Sequence, residues 1–160
     1  MNLNPVVIKS VLLTLVLIAS GGVMANPESS FNLSIQHLDN WLNGYKAAWE
    51  MLDADKAASL FTENAIYQED PYKEPFQGRD AIHNYWSTVT ADQANVKFTF
   101  ETVSVTGNSG VAHWHSEFKQ PSTGSTIILD GIFILEFSKD GLCESLKEWW
   151  HFQAVPANNN

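Results

Sequence analysis

The fold is decided by Val96-Lys97-Phe98-Thr99-Phe100-Glu101-Thr102-Val103-Ser104-Val105, a reversal at Gly107-Asn108-Ser109-Gly110, and Val111-Ala112-His113-Trp114-His115-Ser116-Glu117-Phe118-Lys119. Alternation with a period of two on both sides of a Gly/Asn/Ser turn predicts paired antiparallel strands. The pattern continues over residues 126–137 and 143–153, with Pro121-Ser122-Thr123-Gly124 and Lys139-Asp140-Gly141 as the links. Four long strands joined by short turns make an antiparallel meander.

Upstream the period is different. Leu38, Trp41, Leu42, Tyr45, Trp49 and Leu52 recur at three and four, so a helix runs from Ser34. Asp53 or Asp55 is placed to cap a second, short helix carrying Ala57, Ala58, Leu60 and Phe61, which Glu63-Asn64 ends. A short strand over 65–69 leads into Glu69-Asp70-Pro71, and Gly78-Arg79-Asp80 opens a third helix with Ile82, Tyr85, Trp86 and Val89 on one side. Helices first and a long meander after them predict an α+β domain whose helices close one face of the sheet. The cone so formed has an aromatic interior and an open mouth, suited to a small, mostly apolar molecule.

Residues 1–25 read as a secretory signal peptide: Lys9 lies before an apolar core over 11–18, a Gly21-Gly22 break follows, and Val23-Met24-Ala25 forms a cleavage box. The core is too short to span a bilayer of roughly 30 Å. Cleavage after Ala25 leaves 160 − 25 = 135 residues, one domain. We divide them into a flexible arm (26–33), the folded domain (34–153) and a disordered tail (154–160). The expected location is secreted or periplasmic. The mature charge of (9 − 1) − 18 = −10 excludes nucleic acid and anionic membrane surfaces as partners, since both need a basic footprint. Cys143 is the single cysteine, so no internal disulfide forms; we expect a buried structural thiol.

Leu60-Phe61-Thr62-Glu63-Asn64-Ala65, Glu69-Asp70-Pro71 with Glu74-Pro75, Gly78-Arg79-Asp80-Ala81-Ile82 with Tyr85-Trp86, and the closing strand over 141–150 together carry a resemblance to a known family. The chain resembles the nuclear transport factor 2-like superfamily, and within it the SnoaL-like and ketosteroid isomerase-like domains, across residues 34–153. The resemblance implies a cone-shaped α+β barrel, with three N-terminal helices packed in the concave face of a curved, mainly antiparallel sheet. It implies Asp70 as a proton-shuttling base, although one extra residue after Ala65 leaves Glu69 as the other candidate for facing the pocket. It implies Tyr45 as a donor to a developing oxyanion. The isomerase's third working position, a protonated aspartate, is occupied here by Phe133, which removes half of an oxyanion hole.

With the register that the resemblance implies, Trp114, Ser116 and Phe118 point inward on one strand, and Leu146, Glu148 and Trp150 on the last. Glu148 is then an acid inside an aromatic pocket, a second proton-handling group beside Asp70 and Tyr45. Trp49, Phe61, Tyr85 and Trp86 from the helical half, with Phe133 and Trp150 from the sheet, complete the expected substrate-binding set. On the outer face His113, His115 and Glu117 have a spacing that could chelate zinc, but a strand separates them from His151, so we assign no metal and no cofactor. Ile132, Ile134 and Trp149 on the same face suit a homodimer through the convex sheet. The functional expectation is cofactor-independent acid/base catalysis, isomerase- or cyclase-like, on a small apolar molecule. The rivals are a binding protein that does not turn its ligand over, and a structural dimer with a filled cone.

Overall fold

A computed structural model describes residues 31–157. The expected signal peptide, the start of the arm and the last three asparagines lie outside the described residues. Three helices, α1 (Ile35–Glu50), α2 (Ala54–Ser59) and α3 (Arg79–Val89), accompany six strands. These are β1 (Phe61–Gln68), β2 (Phe76–Gln77), β3 (Ala94–Thr106), β4 (Ser109–Lys119), β5 (Thr126–Phe137) and β6 (Cys143–Val155). They form one sheet in the order β2-β1-β6-β5-β4-β3. The meander is antiparallel throughout, whereas β1 runs parallel to β6. A mixed α+β cone with its helices on the concave side is therefore the observed fold.

Local chemistry accounts for the helix starts. Ser34 accepts a hydrogen bond from the His37 amide at 3.1 Å, and Asp53 accepts one from the Lys56 amide at 2.8 Å. Each satisfies a first-turn donor that the helix itself leaves unpaired. Helix α1 then turns Leu38, Trp41, Leu42, Tyr45, Ala48 and Trp49 into the core. A polar row on α1 guards the open edge of β3. Glu50 accepts from the Phe98 amide at 2.9 Å, Lys46 donates to the Phe98 carbonyl at 2.6 Å, and Asp39 accepts from Thr102 at 2.6 Å. The first two bonds occupy backbone groups of the edge strand that would otherwise be free to pair with another chain.

Three of the differences from the expected boundaries have an evident cause. Phe61 opens β1 instead of ending α2, because it pairs with Cys143 and the Leu60 carbonyl accepts from the Cys143 amide at 3.0 Å. The arm is anchored at its end: Leu33 is buried and its amide donates to the Gly107 carbonyl at 2.7 Å. Strand β6 runs to Val155, two residues into the expected tail, by pairing with β5 as far as Thr126. Cys143 is buried, as expected, and burial pushes its thiol well above the usual range.

One glycine sets the spacing of the sheet's inner wall. Trp114, Gly131 and Trp150 lie in one cross-strand row. A Cβ on Gly131 would come within 2.6 Å of the Trp149 carbonyl oxygen and 2.9 Å of the Trp114 ring. Gly131→Ala is expected to cost about 1–3 kcal/mol, the usual range for overpacking, measured as the loss of unfolding free energy in urea. An unchanged midpoint would show that the row tolerates a methyl.

Candidate active site

Strand β1 turns Ala65 and Tyr67 towards the concave side, with Glu69 just beyond its end, and its parallel pairing sets Tyr67 beside Leu146 of β6. Glu148, two residues further along β6 and on the same face, is thereby brought to the Tyr67 hydroxyl. Tyr67 donates to Glu148 Oε1 at 2.9 Å, and the Tyr45 hydroxyl on α1 lies 3.0 Å from that of Tyr67. Because Tyr67 spends its only hydroxyl proton on Glu148, Tyr45 is the donor to Tyr67. The result is a directed chain, Tyr45 to Tyr67 to Glu148. A second pair stands beside it: the Tyr85 hydroxyl of α3 donates to Glu69 Oε2 at 2.7 Å.

These groups open onto a cavity of about 290 Å³, near the lower end for small-molecule sites. Trp49, Tyr85, Trp86, Trp114, Phe118 and Trp150, all expected from the sequence, line it with Tyr45 and Glu148. Trp49 is held by a hydrogen bond from its indole to Gln93 Oε1 at 2.7 Å. Phe61, Ser116 and Phe133 do not reach the cavity; they are fully buried behind it. Phe133 stacks on Trp114 with centroids 5.1 Å apart and meets Tyr45 edge-on at 5.2 Å, while Phe61 packs edge-on against Trp41 at 5.6 Å. They support the wall; they do not form it.

Asp70 is also placed elsewhere. Its Oδ1 accepts from the Tyr72 amide at 2.9 Å, and its Oδ2 lies 3.4 Å from Lys73 Nζ. The Tyr72 amide, then Lys73, hold the carboxyl below the usual range. The physical reason is local: an Asp-Pro-Tyr turn offers the carboxylate a backbone amide two residues on, and the side chain takes it. Asp70 borders an adjoining surface groove with Lys73, His113 and Asp130, which shares Glu69, Glu148 and Trp150 with the cavity, and does not itself line the cavity. The acid that this stretch presents to the cavity is Glu69. Sequence reasoning missed Tyr67, although it stands between Ala65 and Glu69 in a strand already identified, so period-two alternation was enough to find it. Gln93, Asp92 and Phe152 also line the cavity; only Phe152 was legible, as the next inward position after Trp150.

The electrostatics centre on Glu148, which is 5% exposed. Burial pushes its carboxyl up to about 8; the Tyr67 hydrogen bond opposes this and nearby Glu69 adds to it. It is thus a neutral acid around pH 7. Burial, followed by the field of Glu148, raises the hydroxyls of Tyr45, Tyr67 and Tyr85 far above their usual range, so all three stay protonated as donors. On the convex face Asp130 receives both histidines of β4, His113 at 3.0 Å and His115 at 3.3 Å. Among the described residues no three His, Cys, Asp or Glu side chains are grouped to hold a metal ion, and no helix is long and apolar enough to cross a membrane.

Comparison with solved structures agrees on the fold. The Δ5-3-ketosteroid isomerase of a Mycobacterium species superposes with a TM-score of 0.64 at 14% identity, covering 74% of this chain and 98% of the isomerase. SalBIII, an epoxide hydrolase/cyclase-like enzyme of pyran ring formation in the polyether salinomycin, gives 0.59 at 18% identity, covering 72% and 92%. A computationally designed 17-OHP binder gives 0.64 at 17% identity, covering 74% and 96%. At these identities the likeness concerns architecture, and the same architecture serves catalysis and plain binding. No curated protein matches the chain. The family model for the SnoaL-like domain matches residues 42–145, and the chain belongs to that family.

Proposed function

We propose that the protein binds a small, largely apolar molecule in the aromatic cavity and moves a proton on it without a cofactor. The observation that carries this is a buried carboxyl, Glu148, bonded to Tyr67 and facing the same cavity as a second carboxyl, Glu69. Burial favours the protonated form of Glu148, so an acid and a second carboxyl able to accept a proton stand on one cavity wall. In this reading Glu69 takes the proton-abstracting role first assigned to Asp70, because Glu69 lines the cavity and Asp70 is spent on its own turn. Glu148 donates to the atom where negative charge develops. Tyr67 and Tyr45 hold Glu148 in place, so Tyr45 acts through the chain and not by direct contact with an oxyanion. The isomerase- and cyclase-type chemistry of the structural neighbours is of this kind, and it supports the reading by analogy. The apolar segment at 1–25 supports export, so we place this activity in the periplasm or outside the cell.

The enolisable ketone 3-cyclohexen-1-one tests the assignment through its conversion to the conjugated isomer, followed by ultraviolet absorbance. Glu69→Gln is expected to lower the protein-catalysed rate by about 10²-fold or more, the usual contribution of a positioned base, while Asp70→Asn leaves it unchanged. The reverse pattern would return the role to Asp70. Tryptophan quenching by the ketone without any catalysed conversion would favour the binding-protein reading.

The Glu148 carboxyl also predicts a pH dependence of stability. Its folded value of about 8 lies above the ordinary 4.5, so between these values the native state holds a proton that the unfolded state has lost. Stability therefore falls as pH rises through this window, by at most about 1.4 kcal/mol per pH unit from this group. The cost is absent below the window and complete above it. Glu148→Gln removes that slope, so its unfolding free energy should gain on the wild type as pH rises from about 5 to about 8. Parallel curves would contradict a neutral Glu148.

We further infer that two copies pair through the convex face of the sheet, where Trp149 is 49% and Ile134 38% exposed beside Ile132. Trp149→Glu should shift the sedimentation coefficient from dimer to monomer; a wild-type monomer would remove this inference.

A further inference from the structure

The cavity wall carries negative charge and no positive charge. Its lining residues include the acids Glu69 and Asp92 beside the neutral Glu148, and no lysine, arginine or histidine. Asp92 accepts from the Ser122 amide at 2.9 Å and from the Ser122 hydroxyl, and these bonds hold its carboxyl in the ionised form. Nine of the seventeen lining residues are aromatic. Trp86 and Trp114 are almost completely buried, whereas Trp150 and Phe152 remain 41% and 60% exposed. Glu148 uses one oxygen on Tyr67, and its other oxygen accepts no hydrogen bond from the described residues. The unpartnered indole N–H groups of Trp86 and Trp114 are sealed from solvent.

Three ligand classes can be compared on this wall. An anion meets like charge at Glu69 and Asp92 and no cationic side chain to offset it. A neutral hydrocarbon gains the rings but leaves carboxyl oxygens against apolar atoms, which is unfavourable. A cation with an apolar coat gains from both, because ring faces attract positive charge within about 6 Å of their centroids and carboxylates pair with it. Resting on the reading of the cavity as a ligand site, we propose that its natural ligand is an organic cation, an alkylated ammonium ion held among the tryptophan rings and beside the Glu69 carboxyl.

Three probes of nearly equal shape and different charge test this: choline, its neutral carbon isostere 3,3-dimethylbutan-1-ol, and the anion 3,3-dimethylbutanoate. Each is titrated into the purified protein with tryptophan fluorescence and calorimetry as readouts. Choline should bind about tenfold tighter than the alcohol, and the butanoate should bind more weakly than either. Glu69→Gln, which keeps shape and removes charge, should weaken choline several-fold and leave the alcohol unchanged. If the alcohol binds as tightly as choline, or Glu69→Gln affects both equally, the charge assignment is overturned while the cavity remains a ligand site. If no probe binds, the cavity reading falls with it.

Discussion

A carboxyl group has been taken out of water at Glu148, and the rest of the concave face is arranged to tolerate it. A buried acid is stable only when neutral, paired or hydrogen-bonded, and this one combines neutrality with a bond from Tyr67. Tyr67 can reach it because β1 lies parallel to β6 and in register at Leu146. Tyr45 can reach Tyr67 because α1 packs across the cone with its aromatic face inward. Remove the parallel strand and the acid has no donor; remove α1 and it meets solvent, where it would ionise as an ordinary glutamate.

The same arrangement explains why so many rings surround the site. Aromatic side chains fill volume with few rotatable bonds, and they prefer edge-to-face and offset contacts that fix their positions. The contacts linking Tyr45, Trp49, Trp86, Phe98, Trp114 and Phe133 lie between 5.1 and 6.4 Å. A rigid wall of this kind keeps the cavity open and keeps water from spreading around Glu148. Gly131 contributes by lacking a side chain, since Trp114 and Trp150 occupy the space that one would need.

Most of the architecture was legible because it rests on periodicity. The three-and-four spacing of α1 and the alternation of the meander each reflect which side of an element is buried, and burial is what the sequence records most directly. The cavity was half legible for the same reason: inward positions on β4 and β6 name Trp114, Phe118, Glu148 and Trp150. What could not be read was depth. Phe133, Ser116 and Trp114 all point inward, yet only Trp114 borders the empty space, and alternation does not distinguish a wall from what stands behind it. Asp70 misled for a different reason. Its position relative to a familiar motif suggested a base, but a single inserted residue moved Glu69 to the inward side and freed Asp70 to close its own turn.

Everything proposed for this cavity depends on Glu148 being a neutral acid at its wall. Infrared difference spectroscopy of wild type against Glu148→Gln, recorded across a pH series, reads it directly through the protonated-carboxyl stretch. A band that belongs to Glu148, persists at neutral pH and disappears with a midpoint near 8 is the predicted result. If the band is already lost by about pH 6, within the range of ordinary solvated carboxyls, Glu148 is an exposed or paired carboxylate and the proposed division of labour with Glu69 is wrong.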